Sequence, residues 1–107
     1  MHDKLYKVKN ALLSVPCNLF HYFAVKKPDK YIVWAENGEA SSLEADGRKQ
    51  DQVIGGYIDY FTKDENDPNV ELIQKALASA EIAFSLNDVI YEDETKYIHY
   101  AWKFEVV

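Results

Sequence analysis

The stretch "KYIHYAWKFEVV", residues 96–107, decides the fold. Ile98, Tyr100, Trp102, Phe104 and Val106 take every second place, and His99, Ala101, Lys103 and Glu105 fall between them. Successive side chains of a strand point to opposite faces, so this reads as a strand with one buried face and one largely polar face. Before it, "EDET" at 92–95 is a turn of acidic residues. Before that, "IAFSLNDVIY" at 82–91 reads as a second strand. The apolar parity of Phe84 and Leu86 switches to Val89 and Tyr91 near Asn87–Asp88, which a bulge would accommodate.

Further upstream, "KDENDPNVELIQKALASA" at 63–80 opens a helix. Asp67 stands at the N-cap position and Pro68 at the first helical position, where a missing N–H costs nothing. Val70, Ile73 and Leu77 line one face, with Ala76 and Ala80 beside it. A strand at about 52–62 precedes this helix, and Gly55 and Gly56 mark a bulge, a bend or the close approach of another backbone. At the N-terminus, Leu5, Val8, Leu12 and Val15 recur at helical spacing, with Lys4, Lys7 and Lys9 over much of the other side. Asp3 suits a cap there, and Pro16 ends the helix. "CNLFHYFAV" at 17–25 reads as a strand with large apolar groups on both faces, covered on both or covered on one and in an interface on the other. "KKPDK" at 26–30 reads as a turn and "YIVWA" at 31–35 as the returning strand, so the two are expected to pair as a hairpin.

The predicted order is α-β-β-β-α-β-β. Two helices on one face of a mainly antiparallel sheet make an α+β two-layer sandwich. A chain of 107 residues is read as one domain, 1–107. Between the second and third strands, residues 36–51 show no hydrophobic period, and Gly38 and Gly47 punctuate them. Loops of that length are uncommon inside small domains unless they bind something or are disordered. The expectation is a long mobile loop at 36–51.

The composition narrows the function classes. A hydrophobic fraction of 48% is ordinary for a globular chain, and fifteen aromatics (eight Tyr, five Phe, two Trp) supply core and interface area together. A formal charge of −6 argues against phosphate-backbone binding as the main activity. Cys17 is the sole cysteine, so no intramolecular disulfide forms and a reducing compartment is expected. No apolar run approaches the roughly 20 residues of a membrane helix, and the first ten residues lack a signal-peptide core.

Candidate chemistry is sparse. Cys17 and His21 stand four places apart, more than about 13 Å along a strand and beyond hydrogen-bond reach. His2, His21 and His99 are scattered, and no Cys or His pair has zinc spacing. "DENDPN" at 64–69 has a calcium-like composition, yet it lacks the glycine and the distant glutamate of an EF-hand loop. Glu92, Asp93 and Glu94 sit in a solvated turn that offers nothing to raise a pKa for acid–base work. "NGEASSLEADG" at 37–47 lacks the lysine and the glycine spacing of a phosphate loop. No enzyme activity and no cofactor are expected; function is expected to reside in surfaces.

Four segments carry a resemblance: Tyr-x-Val-Trp-Ala-Glu at 31–36, Ser-Leu-x-Ala-Asp at 42–46, Gly-x-Ile-Asp-x-Phe-Thr-Lys at 56–63, and the aromatic strand after Tyr-Glu-Asp-Glu-Thr at 91–95. Together they span about residues 31–107, and the pattern resembles short tail-completion proteins of siphophages and prophages of Gram-positive bacteria, also labelled minor capsid proteins. The resemblance implies a tail terminator: a ring, usually hexameric, that caps the tail tube and joins it to the head connector. It implies a small α/β sandwich without catalytic or cofactor residues. It also implies tail-tube and head–tail connector proteins as partners, a place in the virion tail or neck, and assembly in the bacterial host cytoplasm.

On that reading the polar loop reaches across a subunit boundary and orders on contact. Its charged residues Glu36, Glu39, Glu44, Asp46, Arg48, Lys49 and Asp51 are then interaction residues, and Tyr57, Tyr60 and Tyr97 are expected as exposed aromatic anchors. The alternative is an acidic protein-binding module, such as a host-protein inhibitor or a nucleic-acid mimic. Its acids would spread over one face, whereas here they gather at 36–51, 64–71 and 88–94.

Overall fold

The alternation at the C-terminus becomes the strand that holds the sheet together. The computed structural model describes residues 3–41 and 53–107. In chain order these form α1 (Asp3–Leu13), β1 (Asn18–His21), β2 (Lys30–Ser41), β3 (Val53–Thr62), α2 (Asn69–Ser79), β4 (Ala83–Tyr91) and β5 (Ile98–Val106). The strands form one sheet in the order β1-β2-β3-β5-β4. All pairings are antiparallel except β1 with β2. The fold is therefore the expected α+β arrangement of two helices on a mostly antiparallel five-stranded sheet.

Register assigns the faces. Ile32 lies opposite Tyr60, and Tyr60 opposite Tyr100; Trp34 lies opposite Ile58, and Ile58 opposite Trp102. Directly paired residues share a face, so one side of β2, β3 and β5 carries a continuous apolar block. Leu5, Val8 and Leu12 of α1 and Ile73 and Leu77 of α2 pack into that block with Trp34, Ile58, Trp102 and Phe104. The helices thus cover one face of the sheet. The indole N–H of Trp102 donates to Gln74 Oε1 of α2 at 3.1 Å, so one of the two core indoles also pins a helix to the sheet.

The glycines in β3 answer a packing demand. A Cβ on Gly56 would stand 2.1 Å from the Ala35 carbonyl oxygen and 2.6 Å from the Phe104 ring. Close approach, one of the expected alternatives, is the reason at this position. The bulges lie opposite, in β2, where register shifts fall between Glu36 and Gly38 and between Glu39 and Ser41. The bulge expected near Asn87 is present: the β4–β5 register shifts between Leu86 and Asp88.

The start of α2 is a buried polar joint. Pro68 already has helical angles, and Asp67 Oδ1 accepts the backbone N–H of Asn69 at 2.8 Å, which is capping geometry. The Tyr60 hydroxyl donates to Asp67 Oδ2 at 2.5 Å and accepts from the Asn69 side-chain amide at 3.0 Å. Lys30 adds an ion pair at 3.6 Å. Burial raises the Asp67 pKa, but the hydrogen bonds of Thr62, Tyr60 and the Asn69 backbone, with the Lys30 charge, outweigh it and hold the carboxyl below its usual value. Burial, with the Asp67 bond, pushes the Tyr60 hydroxyl up.

Three expectations need correction. First, the strand expected at 17–25 is only Asn18–His21, and it runs parallel to β2 rather than as a hairpin. Tyr22 takes a left-handed φ of 75° and turns the chain out of the sheet. Residues 22–29 then return as a strap, because a parallel partner must start at the same end. Second, the loop expected from Glu36 begins later. β2 continues to Ser41, so Glu36 and Glu39 are strand residues paired with Gly56 and Ile54. Backbone pairing across β3 carried β2 past the point where its side-chain period faded. Residues 42–52 lie outside the described residues. The third correction concerns the anchors and follows below.

Candidate interaction surface

The face of the sheet away from the helices begins with aromatic stacking. Tyr31 stacks on Phe61 with centroids 4.7 Å apart, and Phe61 stacks on His99 at 4.3 Å. These three occupy one cross-strand row of β2, β3 and β5. Tyr97 meets both Tyr31 and Phe61 edge-on, at 5.7 and 6.0 Å. Its hydroxyl shares a hydrogen bond between the Pro28 carbonyl at 2.6 Å and the Lys27 carbonyl at 3.0 Å. Tyr97 therefore ties the 92–97 turn to the 22–29 strap across the open face. Between strap and sheet lies a groove of about 280 Å³, lined by Phe23, Lys27, Tyr31, Asp59, Phe61 and Glu92 among others. Asp59 Oδ1 is 2.8 Å from His99 Nε2, and Glu92 Oε1 accepts the Thr95 hydroxyl at 2.9 Å. Burial, then Tyr97 and Glu92 nearby, push the Tyr31 hydroxyl up to about 12.

A second cluster closes the β1 edge. Glu36 accepts from the Tyr22 hydroxyl and pairs with His21 Nε2 at 2.7 Å. The His21 ring stacks on Trp34 at 4.1 Å and on Tyr22 at 4.2 Å. Burial raises the Glu36 pKa, but the bonds from Tyr22 and His21 outweigh it and hold the carboxyl below its usual value. Glu36 thus engages its own chain and holds the short β1 against β2.

The third feature is β4, an outer strand bonded only to β5. Leu86, Val89, Ile90 and Tyr91 on it are 44–54% exposed. Natural edge strands are normally blunted by lysine, proline or a bulge. Here the bulge at Asn87 and the Asp88 carboxylate are the guards within β4.

The anchors expected from the sequence divide. Tyr57 is exposed, as required of an anchor. Tyr60 and Tyr97 are not: Tyr60 is fully buried in the α2 joint, and Tyr97 is 6% exposed as the clasp between turn and strap. Each found a polar partner for its hydroxyl inside the chain, which is what lets a tyrosine be buried. Of the charged candidates, Glu36 is an internal ligand for His21 and Tyr22, and Glu39 lies in β2. Glu44, Asp46, Arg48, Lys49 and Asp51 lie outside the described residues.

Residues outside the expected anchors carry much of the exposed apolar surface: Leu86, Val89, Ile90 and Tyr91 on β4, and Tyr22, Phe23 and Val25 on the strap. The signal for the first set was the unbroken "VIY" run, which puts apolar groups on both faces. Phe23 and Val25 carried the same signal, since the 17–25 run also puts large apolar groups on both faces, with an interface on one of them among the alternatives it offers.

Cys17 is half-buried against the core, and burial together with the Asp67 charge pushes its thiol up to about 11, so it is a poor nucleophile at neutral pH. Among the described residues no group of three His, Cys, Asp or Glu side chains has metal-holding geometry, and no helix is long and apolar enough to cross a membrane. Comparison with protein-family models and with curated proteins finds no match.

Proposed function

We propose that this chain is a structural assembly protein of a phage or prophage particle, a tail terminator or tail-completion protein. One observation carries the reading: an apolar edge strand, β4, and the apolar side chains Tyr22, Phe23 and Val25 of the strap stand exposed outside the helix-covered core. Chains that work alone seldom leave a nine-residue edge with four large apolar side chains exposed. A ring subunit has a use for two such surfaces. In a head-to-tail ring one patch meets a different patch, and closure sets the copy number. The sequence resemblance over residues 31–107 points the same way and adds the tail tube and head–tail connector as neighbours.

Electron microscopy of lysates lacking this protein tests the proposal. Headless tails of uncontrolled length beside filled, tailless heads are expected. Normal joined particles in such lysates would overturn it.

A further inference from the structure

We infer that an apolar ledge on the helix side of β4 receives the strap segment around Phe23, Val25 and Lys26 of a second copy of this chain. The inference rests on the head-to-tail assembly reading and names the two patches that meet. Register places the ledge. Leu86 lies opposite Trp102, Val89 opposite Tyr100 and Tyr91 opposite Ile98, so these three side chains share the face that the helices cover elsewhere. The helices stop short of them: Trp102 is 1% exposed, whereas Leu86, Val89 and Tyr91 stay exposed. Asp88 pairs with Ala101, which pairs with Asp59, so its carboxylate belongs to the other face and the ledge carries no charge of its own.

Charge begins where the ledge ends. Tyr91 runs into Glu92, Asp93 and Glu94, three acids against Lys96. That turn is stiff, because the Glu92 N–H donates to the Tyr97 carbonyl and the Lys96 N–H to the Glu92 carbonyl, both at 2.8 Å. A clamped turn loses little freedom on binding. Asp93 and Glu94 are exposed, and neither has an ion pair among the described residues. The strap carries the converse pattern. Phe23 and Val25 are exposed, and Lys26 follows them, exposed and without an ion pair among the described residues. Apolar groups leading into a cation match apolar groups leading into acids. Ledge against ledge would leave both acidic turns unanswered. The strap cannot reach the ledge of its own chain. Phe23 and Lys27 line the groove over Tyr31 and Phe61, on the face away from the helices, and the Tyr97 hydroxyl ties the Lys27 and Pro28 carbonyls there. The sheet stands between that face and Leu86, Val89 and Tyr91. The two patches therefore meet only between molecules, and a contact of one patch with a different one is heterologous, the type that closes into rings.

The test uses the full chain in sedimentation-velocity runs across a concentration series. Wild type should self-associate. Val89→Lys sets a charge on the ledge and should weaken association about tenfold or more. Lys26→Glu, and separately Asp93→Lys combined with Glu94→Lys, should each weaken it roughly fivefold, and all three charge changes together should recover it. Circular dichroism melts check folding; if Val89→Lys melts early, the charge variants decide alone. Loss of association with Val89→Lys but none with Lys26→Glu would overturn the strap as the occupant of the ledge. Charge variants that all associate like wild type, or a wild-type chain that stays monomeric throughout the series, would overturn the contact, while the lysate experiment decides the assembly reading separately.

Discussion

Strands β4 and β5 are hydrogen-bonded neighbours of nine residues each, and they live differently. Trp102, Phe104 and Val106 of β5 are buried, while Leu86, Val89, Ile90 and Tyr91 of β4 are exposed. Both strands carry large apolar groups, so composition does not separate them. Position does. β5 has a strand on either side and lies in the block that the helices cover; β4 has one neighbour and an open edge. The same kind of residue stabilises the fold in one strand and remains available for contact in the other.

The sharpest way to break that contrast is Trp102→Ala. If β5 is the core strand, the change should cost about 3–5 kcal/mol in urea or thermal unfolding. An unchanged melting point would place the indole outside the core.

A smaller effect is expected at the joint that fastens α2 over β3. Asp67→Ala removes the cap and should cost about 0.5–2 kcal/mol. The sign of its pH dependence follows from the lowered carboxyl pKa. The contribution is present above the unfolded aspartate value of about 3.9 and is lost as pH falls through the lower folded value. Asp67→Asn should therefore flatten the acid limb of a stability profile measured from pH 7 to pH 2. An acid limb as steep as that of wild type would show that other carboxylates set it.

The smallest effect on stability belongs to the edge. Val89→Lys should change unfolding free energy by no more than about 0.5 kcal/mol, since the site is half exposed. If β4 serves in assembly, the same variant should fail to support joined particles. Loss of stability above that range would mean that Val89 packs within its own chain.

Legibility followed periodicity. Residues 98–106 alternate strictly, and the structure places Trp102, Phe104 and Val106 in the core. The Asp67–Pro68 start of α2 and the Asn87 bulge were also readable, because capping and parity are local. The segment at 17–25 misled. Its hydrophobic run looks like strand throughout, yet a left-handed Tyr22 ends β1 after four residues. Nothing local distinguishes a parallel from an antiparallel partner, so the direction of β1 was out of reach. Tyr60 and Tyr97 misled for a related reason. A tyrosine is equally at home on a surface and in a core that satisfies its hydroxyl, and the satisfying groups are Asp67 for Tyr60 and the Lys27 and Pro28 carbonyls for Tyr97.

The sequence by itself determined the element order, the two amphipathic helices and the face of β5 that turns inward, since each follows from spacing within one segment. Tertiary structure alone decided which strand lies at the edge, that β1 runs parallel, and that strap and turn close over Tyr31 and Phe61 to form a groove. Those features depend on which distant segments become neighbours, and a one-dimensional period carries no information about that.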